Sequence, residues 1–199
     1  MAGSTGQAEH VVGDDPATDR GLVDSVLAGD AASFRGLVDR HQTRIVAFLH
    51  RLCGCPEQAL DLAQETFLSA HRHLGTFRNE SRFSTWLHAI ALNHARAAGR
   101  RRRPARSLDA VAADGRPLVA EPAATLPAVS AGLEQEDLAR RIAAALDRLD
   151  DRYREVVVLA DMEDASYEQI AATLAIPLGT VRSRLHRGRL ELRTLLVEP

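Results

Sequence analysis

The sequence predicts an all-α protein in which two small helical domains are joined by a flexible linker. Apolar residues recur at three- and four-residue steps through most of the 199-residue chain. No run of Val, Ile and Thr alternates with polar residues over the length of a strand. Residues 104–132 contain four prolines, many alanines and few bulky apolar groups, which indicates a linker between domains that move separately.

The chain begins with a polar, Gly-rich segment, residues 1–18, which we expect to be a disordered tail. It lacks the basic start and apolar stretch of a secretory signal. No apolar run approaches the roughly 18 residues that span a bilayer. We therefore expect a cytoplasmic protein without direct membrane insertion.

Three helices are predicted for a first domain over residues 19–103, an N-terminal helical bundle. The first has one buried stripe, on which His41 is a core or interface histidine rather than a metal ligand. Gly54 and Pro56 end it. The second runs from about Glu57 to His73, and the third continues to Pro104. The predicted apolar faces are Phe34, Leu37, Val38, His41, Ile45, Phe48, Leu49 and Leu52 on the first helix, Leu60, Ala63, Phe67, Leu68 and His71 on the second, and Phe83, Trp86, Leu87, Ile90, Ala91 and His94 on the third.

The second domain, residues 133–199, carries the pattern of a helix-turn-helix. Ser166 and Gln169 have the spacing of a capping box and begin a short helix. A turn at Pro177 leads to a second helix, from about Leu178 to Leu196. The predicted buried face of this helix is Val181, Leu185, Gly188, Leu192 and Leu195, and the predicted exposed face is Arg182, Ser183, His186, Arg187 and Arg189. Such a helix can lie in the major groove, where Arg binds guanine bidentately.

Charge is distributed unevenly, although the chain as a whole has a net charge of −2. Residues 71–106 contain nine Arg and one acid, and residues 177–193 contain five Arg and one acid. The stretch between them, residues 107–139, contains six acids and one Arg. Two basic patches separated by an acidic stretch favour two contacts with nucleic acid. Solvated helix faces are the alternative.

The first domain also contains a segment, Phe77–Trp86, that interleaves aromatic residues with Arg. This mixture can stack on unpaired bases while holding the backbone. Phe83 and Trp86 fall on the apolar stripe, which favours a core role, whereas Phe77 precedes the helix and is expected to be open to a base. Asn93 lies off the stripe and can read a flipped base edge. The residues that can follow phosphates beyond it are Arg96 and Arg100–Arg103.

A third surface is predicted on the second helix. Asp61, Gln64 and Glu65 lie on its exposed side and are suited to docking on a basic protein surface. A solvated face would have the same pattern. Cys53 and Cys55 are interpreted as a reduced pair, since only His41 and His50 are near enough to complete a zinc site. An oxidant-sensing role for the two cysteines stays open.

Together these segments resemble the extracytoplasmic-function (ECF) sigma factors, bacterial initiation factors. The matching stretches are DLAQETFLSAHRHLGTFRNESRFSTWLHAIALNHAR and LDRLDDRYREVVVLADMEDASYEQIAATLAIPLGTVRSRLHRGRLELRTLL. Residues 19–103 then correspond to a region 2-like domain and residues 133–199 to a region 4-like domain.

The resemblance implies a function and partners. A sigma factor binds core RNA polymerase through the β′ clamp helices and the β flap, and it directs initiation at promoter DNA. It is not an enzyme and needs no cofactor, metal or small-molecule substrate. The implied regulator is an anti-sigma factor. A sigma factor is associated with the nucleoid, and a membrane-bound anti-sigma factor could sequester it at the membrane.

The resemblance also implies residue roles. The polymerase-docking residues are Asp61, Gln64 and Glu65. Phe77, Asn93, Arg96, Arg100 and Arg101 serve the minus-10 element, and Arg182, Ser183, His186, Arg187, Arg189, Tyr167 and Glu168 serve the minus-35 element. Many relatives carry Arg where this chain has Ala160, which puts one upstream DNA contact in doubt.

Two alternatives from other classes stay open. A dimeric helix-turn-helix regulator on a palindrome explains the second domain but leaves the aromatic segment and the acidic face without a role. A DNA-processing enzyme would need clustered carboxylate or His ligands for a metal, and the acids are scattered along the chain.

Overall fold

A computed structural model of the protein describes residues 16–102 and 131–197, and every regular element within these ranges is helical. The all-α prediction is therefore confirmed. Most of the predicted linker and most of the predicted N-terminal tail lie outside the described residues, although α5 begins within the predicted linker and α1 within the predicted tail. The helices are α1 (Pro16–Leu27), α2 (Ser33–Cys53), α3 (Pro56–His73), α4 (Phe83–Arg102), α5 (Ala131–Arg148), α6 (Asp151–Val157), α7 (Tyr167–Leu174) and α8 (Leu178–Val197).

The first domain is built around α2, which packs against α1, α3 and α4. Its predicted stripe is confirmed at Leu37, Ile45, Phe48 and Leu49, all of which are fully buried. His41 is also buried. It lies 3.0 Å from the Asp19 carboxylate of α1, which also accepts a 2.9 Å hydrogen bond from Arg40. These contacts attach α1 to the domain, and His41 is a core residue as predicted.

The turn between α2 and α3 follows the predicted breakers. Gly54 has φ +68°, the left-handed conformation that glycine adopts without a Cβ clash, and its N–H donates to the His50 carbonyl. Pro56 then occupies the first turn of α3, where its missing N–H costs nothing.

The predicted buried face of α3 is confirmed at Ala63 and Phe67 but is wrong at Leu60, Leu68 and His71. Leu60 and Leu68 are 52% and 63% exposed, and His71 is also exposed. The residues that face the core are Ala59, Leu62, Ala63, Thr66, Phe67 and Ala70. Small side chains line much of this contact because they let helices approach closely. Side-chain size was therefore a misleading guide to the buried face.

The second domain is organised around α8, which contacts α5, α6 and α7. α6 continues as a single π-helical turn over Val158–Met162. The predicted buried face of α8 is confirmed at Val181, Leu185 and Gly188. A Cβ on Gly188 would lie 2.8 Å from a methyl group of Val157, so glycine allows α8 to lie directly against α6.

The two domains pack against each other. α2 contacts α5 and α6, and α4 contacts α7. The buried apolar residues of both domains belong to one continuous cluster. The expectation of domains that move separately is not tested by this arrangement and stays a prediction. Buried glutamates of the second domain pair with arginines of the first across the contact, as described below.

Candidate nucleic-acid interface

The helix-turn-helix consists of α7, a tight turn and α8. The capping box at the start of α7 is confirmed: the Gln169 N–H donates to the Ser166 hydroxyl, and the Ser166 N–H donates to the Gln169 side-chain oxygen. Ala175 ends α7 in the left-handed conformation, with φ +53°. Pro177 then begins the turn into α8 by accepting hydrogen bonds from the N–H groups of Thr180 and Val181. These local contacts fix the direction of α8.

The outer face of α8 is polar and cationic. The side chains of Arg182, Ser183, His186 and Arg187 are exposed along it, as the sequence predicted. Glu168 is exposed at the start of α7. Its pKa is lowered chiefly by its own backbone N–H, with the Ser166 hydroxyl and the charge of Arg182 adding to the effect. The face therefore presents several hydrogen-bond donors beside one ionised carboxylate.

Arg189 has a different environment from the other arginines of this face. Its Nε donates to Asp161 across 3.0 Å, and a second guanidinium nitrogen donates to the other oxygen of the same carboxylate. The hydrogen bond to Asp161 is the main reason that the pKa of Arg189 is raised, and Tyr167 adds to it. This bidentate pair ties α8 to the π-helical turn, so the two nitrogens that it uses are not available to a base at the same time.

The expected exposure of Phe77 is wrong. Its side chain is 8% exposed, and its ring centroid lies 5.7 Å from that of Phe83 and 5.3 Å from that of Trp86. The 3-10 turn Leu74–Thr76 folds the chain back, and the Phe77 N–H donates to the Leu74 carbonyl. An aromatic ring before a helix can reach the core through such a turn. Phe77 therefore belongs to an aromatic cluster under the surface.

The polar residues of α4 fall into two groups. Asn93 and Arg100 are exposed, as expected for a nucleic-acid contact, and the side chain of Arg101 lies outside the described residues. Arg96 instead forms a bidentate pair with Glu155 of α6, with both nitrogen–oxygen distances 2.7 Å. The hydrogen bond to Glu155 raises the pKa of Arg96 against the opposing effect of burial. In this arrangement the Arg96 guanidinium faces the second domain.

The predicted docking face on α3 is exposed. Asp61, Gln64 and Glu65 all point to solvent, and Glu65 lies 3.2 Å from the His94 ring of α4. The side chains of Leu60 and Leu68, which were predicted to be buried, are exposed on the same helix and add apolar area to this surface. Together these five residues form a mixed acidic and apolar surface, which we call the α3 face.

Sequence reasoning missed an ionic cluster between the domains. Glu163 is only 5% exposed and accepts hydrogen bonds from Arg44 and Arg51 of α2, at 2.8 and 2.9 Å. Its other neighbour is His88 of α4, at 3.5 Å. Burial tends to raise the pKa of Glu163, but the hydrogen bonds and charges of His88 and Arg44 outweigh it and lower the pKa. A lone glutamate after a helix gives no sequence signal for this contact.

A cleft of about 520 Å³ lies where the two domains meet. Ala160 lines it together with Arg82 of the first domain and Asp164, Ala165, Ser166 and Gln169 of the second. No cluster of three or more His, Cys, Asp or Glu side chains suited to a metal ion occurs within residues 16–102 and 131–197. Neither Cys53 nor Cys55 forms a disulfide, and the Cys53 thiol donates a hydrogen bond to the Cys55 carbonyl.

Comparisons with known proteins find a sigma-70 region in each half of the chain. The sigma-70 region 2 model matches residues 37–105, and the sigma-70 region 4 model matches residues 139–192. The ECF RNA polymerase sigma factor SigW of Bacillus subtilis is 33% identical over 160 residues, which cover 79% of this chain and 86% of SigW. The chain belongs to the ECF sigma factor family. As a sigma factor it is a protein of transcription initiation and not an enzyme.

A second relative and a solved structure agree with this assignment. SigE of Mycolicibacterium smegmatis, another ECF sigma factor, is 38% identical over 159 residues, which cover 80% of this chain and 60% of SigE. The sigma factor RpoE of Bartonella quintana, solved with the anti-sigma factor NepR, superposes with a TM-score of 0.64 at 27% identity. That match covers 83% of this ECF sigma factor and 98% of RpoE. None of the helices within the described ranges has the length and apolar character to cross a membrane.

Proposed function

We propose that this ECF sigma factor binds core RNA polymerase and directs it to promoters, where the second domain reads the minus-35 element and the first domain reads the minus-10 element and aids strand opening. The observation that carries the proposal is the exposed Arg-rich face of α8, held on a capped helix-turn-helix in a chain that also contains a region 2 module. Core polymerase performs the chemistry, and the sigma factor needs no cofactor, metal or small-molecule substrate.

The minus-35 element is read by the outer face of α8. Arg182 and Arg187 bind guanines through O6 and N7, and Ser183 and His186 contribute further hydrogen bonds. Tyr167 and Glu168 lie near the DNA backbone at the start of α7. Arg189 acts mainly by holding α8 against the π-helical turn through Asp161, and its charge attracts the backbone.

The minus-10 element is read by α4. Asn93 binds the edge of an unpaired base, while Arg96, Arg100 and Arg101 contact phosphates. Phe77 supports this surface from below, because its ring packs against Phe83 and Trp86 and is not exposed to a base.

Core polymerase is bound through both domains. Asp61, Gln64 and Glu65 dock on the β′ clamp helices, and the second domain docks on the β flap. Fixing both domains on one large surface raises the effective concentration of each DNA reader once the other is bound.

An anti-sigma factor controls the protein by covering the surfaces that bind polymerase. The α3 face suits such a partner, because Leu60 and Leu68 offer apolar area beside the acidic residues. RpoE of Bartonella quintana was solved with its anti-sigma factor, which supports the same kind of partner here. The protein acts in the cytoplasm at the nucleoid, and an anti-sigma factor in the membrane would sequester it there.

Transcripts made on genomic DNA by core polymerase with and without the protein test the proposal. Sequencing their 5′ ends should reveal start sites that depend on the protein and share two spaced upstream elements. A conventional helix-turn-helix regulator would not enable core polymerase to initiate when no other sigma factor is present. The absence of such start sites would therefore refute the proposal.

Variants of α8 then test the assigned readers in run-off transcription from a promoter found in this way. Arg182→Ala and Arg187→Ala should each lower initiation by about 5- to 150-fold, because one bidentate contact contributes about 1–3 kcal/mol. Arg193→Ala is the matched control, because Arg193 is exposed on the same helix beyond the proposed reading face. Equal losses in all three variants would argue for a non-specific effect of charge.

A further inference from the structure

Arg189 lies in line with the proposed reading residues of α8. It follows His186 by three residues and Arg182 by seven, spacings that place side chains on one face of a helix. All three residues are exposed. Position on the helix alone would therefore let Arg189 extend the reading face by one further base contact.

The carboxylate of Asp161 sets Arg189 apart from the other two. Both of its oxygens accept hydrogen bonds from the guanidinium, one of them from Nε across 3.0 Å. Asp161 lies in the π-helical turn that continues α6, and Gly188 lets α6 pack directly against α8. Tyr167, at the start of α7, is a further neighbour, because it adds to the effect of Asp161 in raising the pKa of Arg189. The guanidinium is therefore held between two elements that precede α8.

Exposure alone would make this pair weak, but bound DNA changes the balance. The side chains of Arg189 and Asp161 are 53% and 32% exposed, and an ion pair in such a position contributes about 1 kcal/mol or less. A guanine that drew Arg189 away would leave the Asp161 carboxylate without its partner beside the phosphates, where like charges repel. In exchange the guanine offers only neutral acceptors, O6 and N7. The exchange is therefore unfavourable on DNA.

We propose that Asp161 is a specificity-determining residue of the minus-35 reader, because it holds Arg189 away from the bases and leaves guanine recognition to Arg182 and Arg187. Asp161 contacts no DNA itself and acts through Arg189, so it is a positioning residue. This inference rests on the proposed function, since it requires that α8 lie in the major groove of the minus-35 element.

Removal of Asp161 should therefore add a base preference. In Asp161→Ala the Arg189 guanidinium has no carboxylate partner and can bind O6 and N7 of a guanine. At one base pair to which the wild type is indifferent, guanine should then be favoured by about 5- to 150-fold, the range for one bidentate contact. A purely structural role of Asp161 would lower the affinity for all sequences equally and add no preference.

The test selects DNA with the full-length protein bound to core polymerase. The library consists of promoters in which the minus-35 element and its flanking base pairs are randomised, and sequencing the bound DNA gives the base preference at each position. The variants are Asp161→Ala, Arg189→Ala and the double variant that combines them. Glu191→Ala is the matched control, because it also removes one exposed acid, from α8 itself.

Asp161→Ala should gain the guanine preference, and the double variant should lose it again. Arg189→Ala alone should keep the wild-type preference at every position, and so should Glu191→Ala. Unchanged preferences in Asp161→Ala would overturn the proposal. A wild-type preference that disappears in Arg189→Ala would overturn it as well, since Arg189 would then read a base while Asp161 is present.

Two arms cover the case in which Asp161→Ala does not fold, which circular dichroism detects. Arg189→Ala bears on the proposal without any change at Asp161, and Asp161→Ser, a smaller polar substitution, should gain the same guanine preference. A wild type that selects no minus-35 sequence would contradict the proposed function. A selective wild type whose preferences persist unchanged in folded Asp161 variants would contradict this inference alone.

Discussion

Replacement of Gly188 by alanine should destabilise the second domain, although alanine favours a helix more than glycine does. A Cβ at this position would lie 2.8 Å from a methyl group of Val157 and 3.2 Å from the Cβ of Tyr153. Val157 is fully buried and β-branched, so it has little freedom to turn away. α8 must therefore move outward from α6, and the reading face moves with it.

The expected magnitude comes from two opposing terms. The exchange of Gly for Ala in a helix gains about 1 kcal/mol. Forcing an extra methyl group into a packed contact costs about 1–3 kcal/mol. The net destabilisation should be about 1 kcal/mol. Gly179→Ala is the matched control: this glycine lies in the same helix, and its Cβ would meet nothing within 4 Å. It should stabilise the protein by up to about 1 kcal/mol.

Urea unfolding of the full chain, followed by circular dichroism, measures the two variants. Their free energies of unfolding should differ by about 2 kcal/mol and lie on opposite sides of the wild type, with the dependence on urea unchanged. Gly188→Ala should also bind a minus-35 duplex more weakly than Gly179→Ala. If both variants stabilised the protein equally, the close approach of α6 and α8 would not be limiting, and the explanation for Gly188 would be wrong.

Three further predictions follow from the contacts described above. The pKa of Asp19 lies below its ordinary value of 3.8, because the hydrogen bonds and charges of His41 and Arg40 outweigh the effect of burial. Its stabilisation is therefore present above about pH 4 and is lost as the pH falls through the lowered pKa. Asp19→Asn should lower the free energy of unfolding by about 1–3 kcal/mol at pH 7 and by progressively less below pH 4, and a pH-independent loss in urea titrations would contradict this. Leu68→Ala should weaken the binding of core polymerase in a co-elution assay while changing stability by less than about 0.5 kcal/mol, because the side chain is exposed; a large loss of stability would mean that Leu68 belongs to the core. Asp161→Asn should weaken binding to a minus-35 duplex, although Asp161 itself contacts no DNA, because Arg189 loses the partner that holds α8 in place. Fluorescence anisotropy on that duplex measures the effect, and an unchanged affinity would mean that Arg189 reads DNA independently of Asp161.

Local sequence patterns predicted α2, α3, α4, α7 and α8 and the turns that join α2 to α3 and α7 to α8, but they did not predict α1. The capping box, the glycine that ends α2 and the proline that begins α3 act within a few residues, so their consequences can be read from spacing. The exposed face of α8 followed from the separation of apolar and basic residues around the helix. The failures at α3 and Phe77 have a different origin. Small residues lined most of the α3 contact, and a 3-10 turn brought a residue outside the helix into the core.

The sequence by itself determined the all-helical class, the two modules and the helix that carries the proposed DNA-reading residues, because periodicity and capping are properties of neighbouring residues. Only the tertiary structure decided which charged groups are free to act. Arg96 and Arg189 look like their exposed neighbours in the sequence, yet each has a carboxylate partner distant along the chain, at Glu155 and Asp161. An ion pair depends on distance in space and on burial, and neither is encoded in the local pattern of charges.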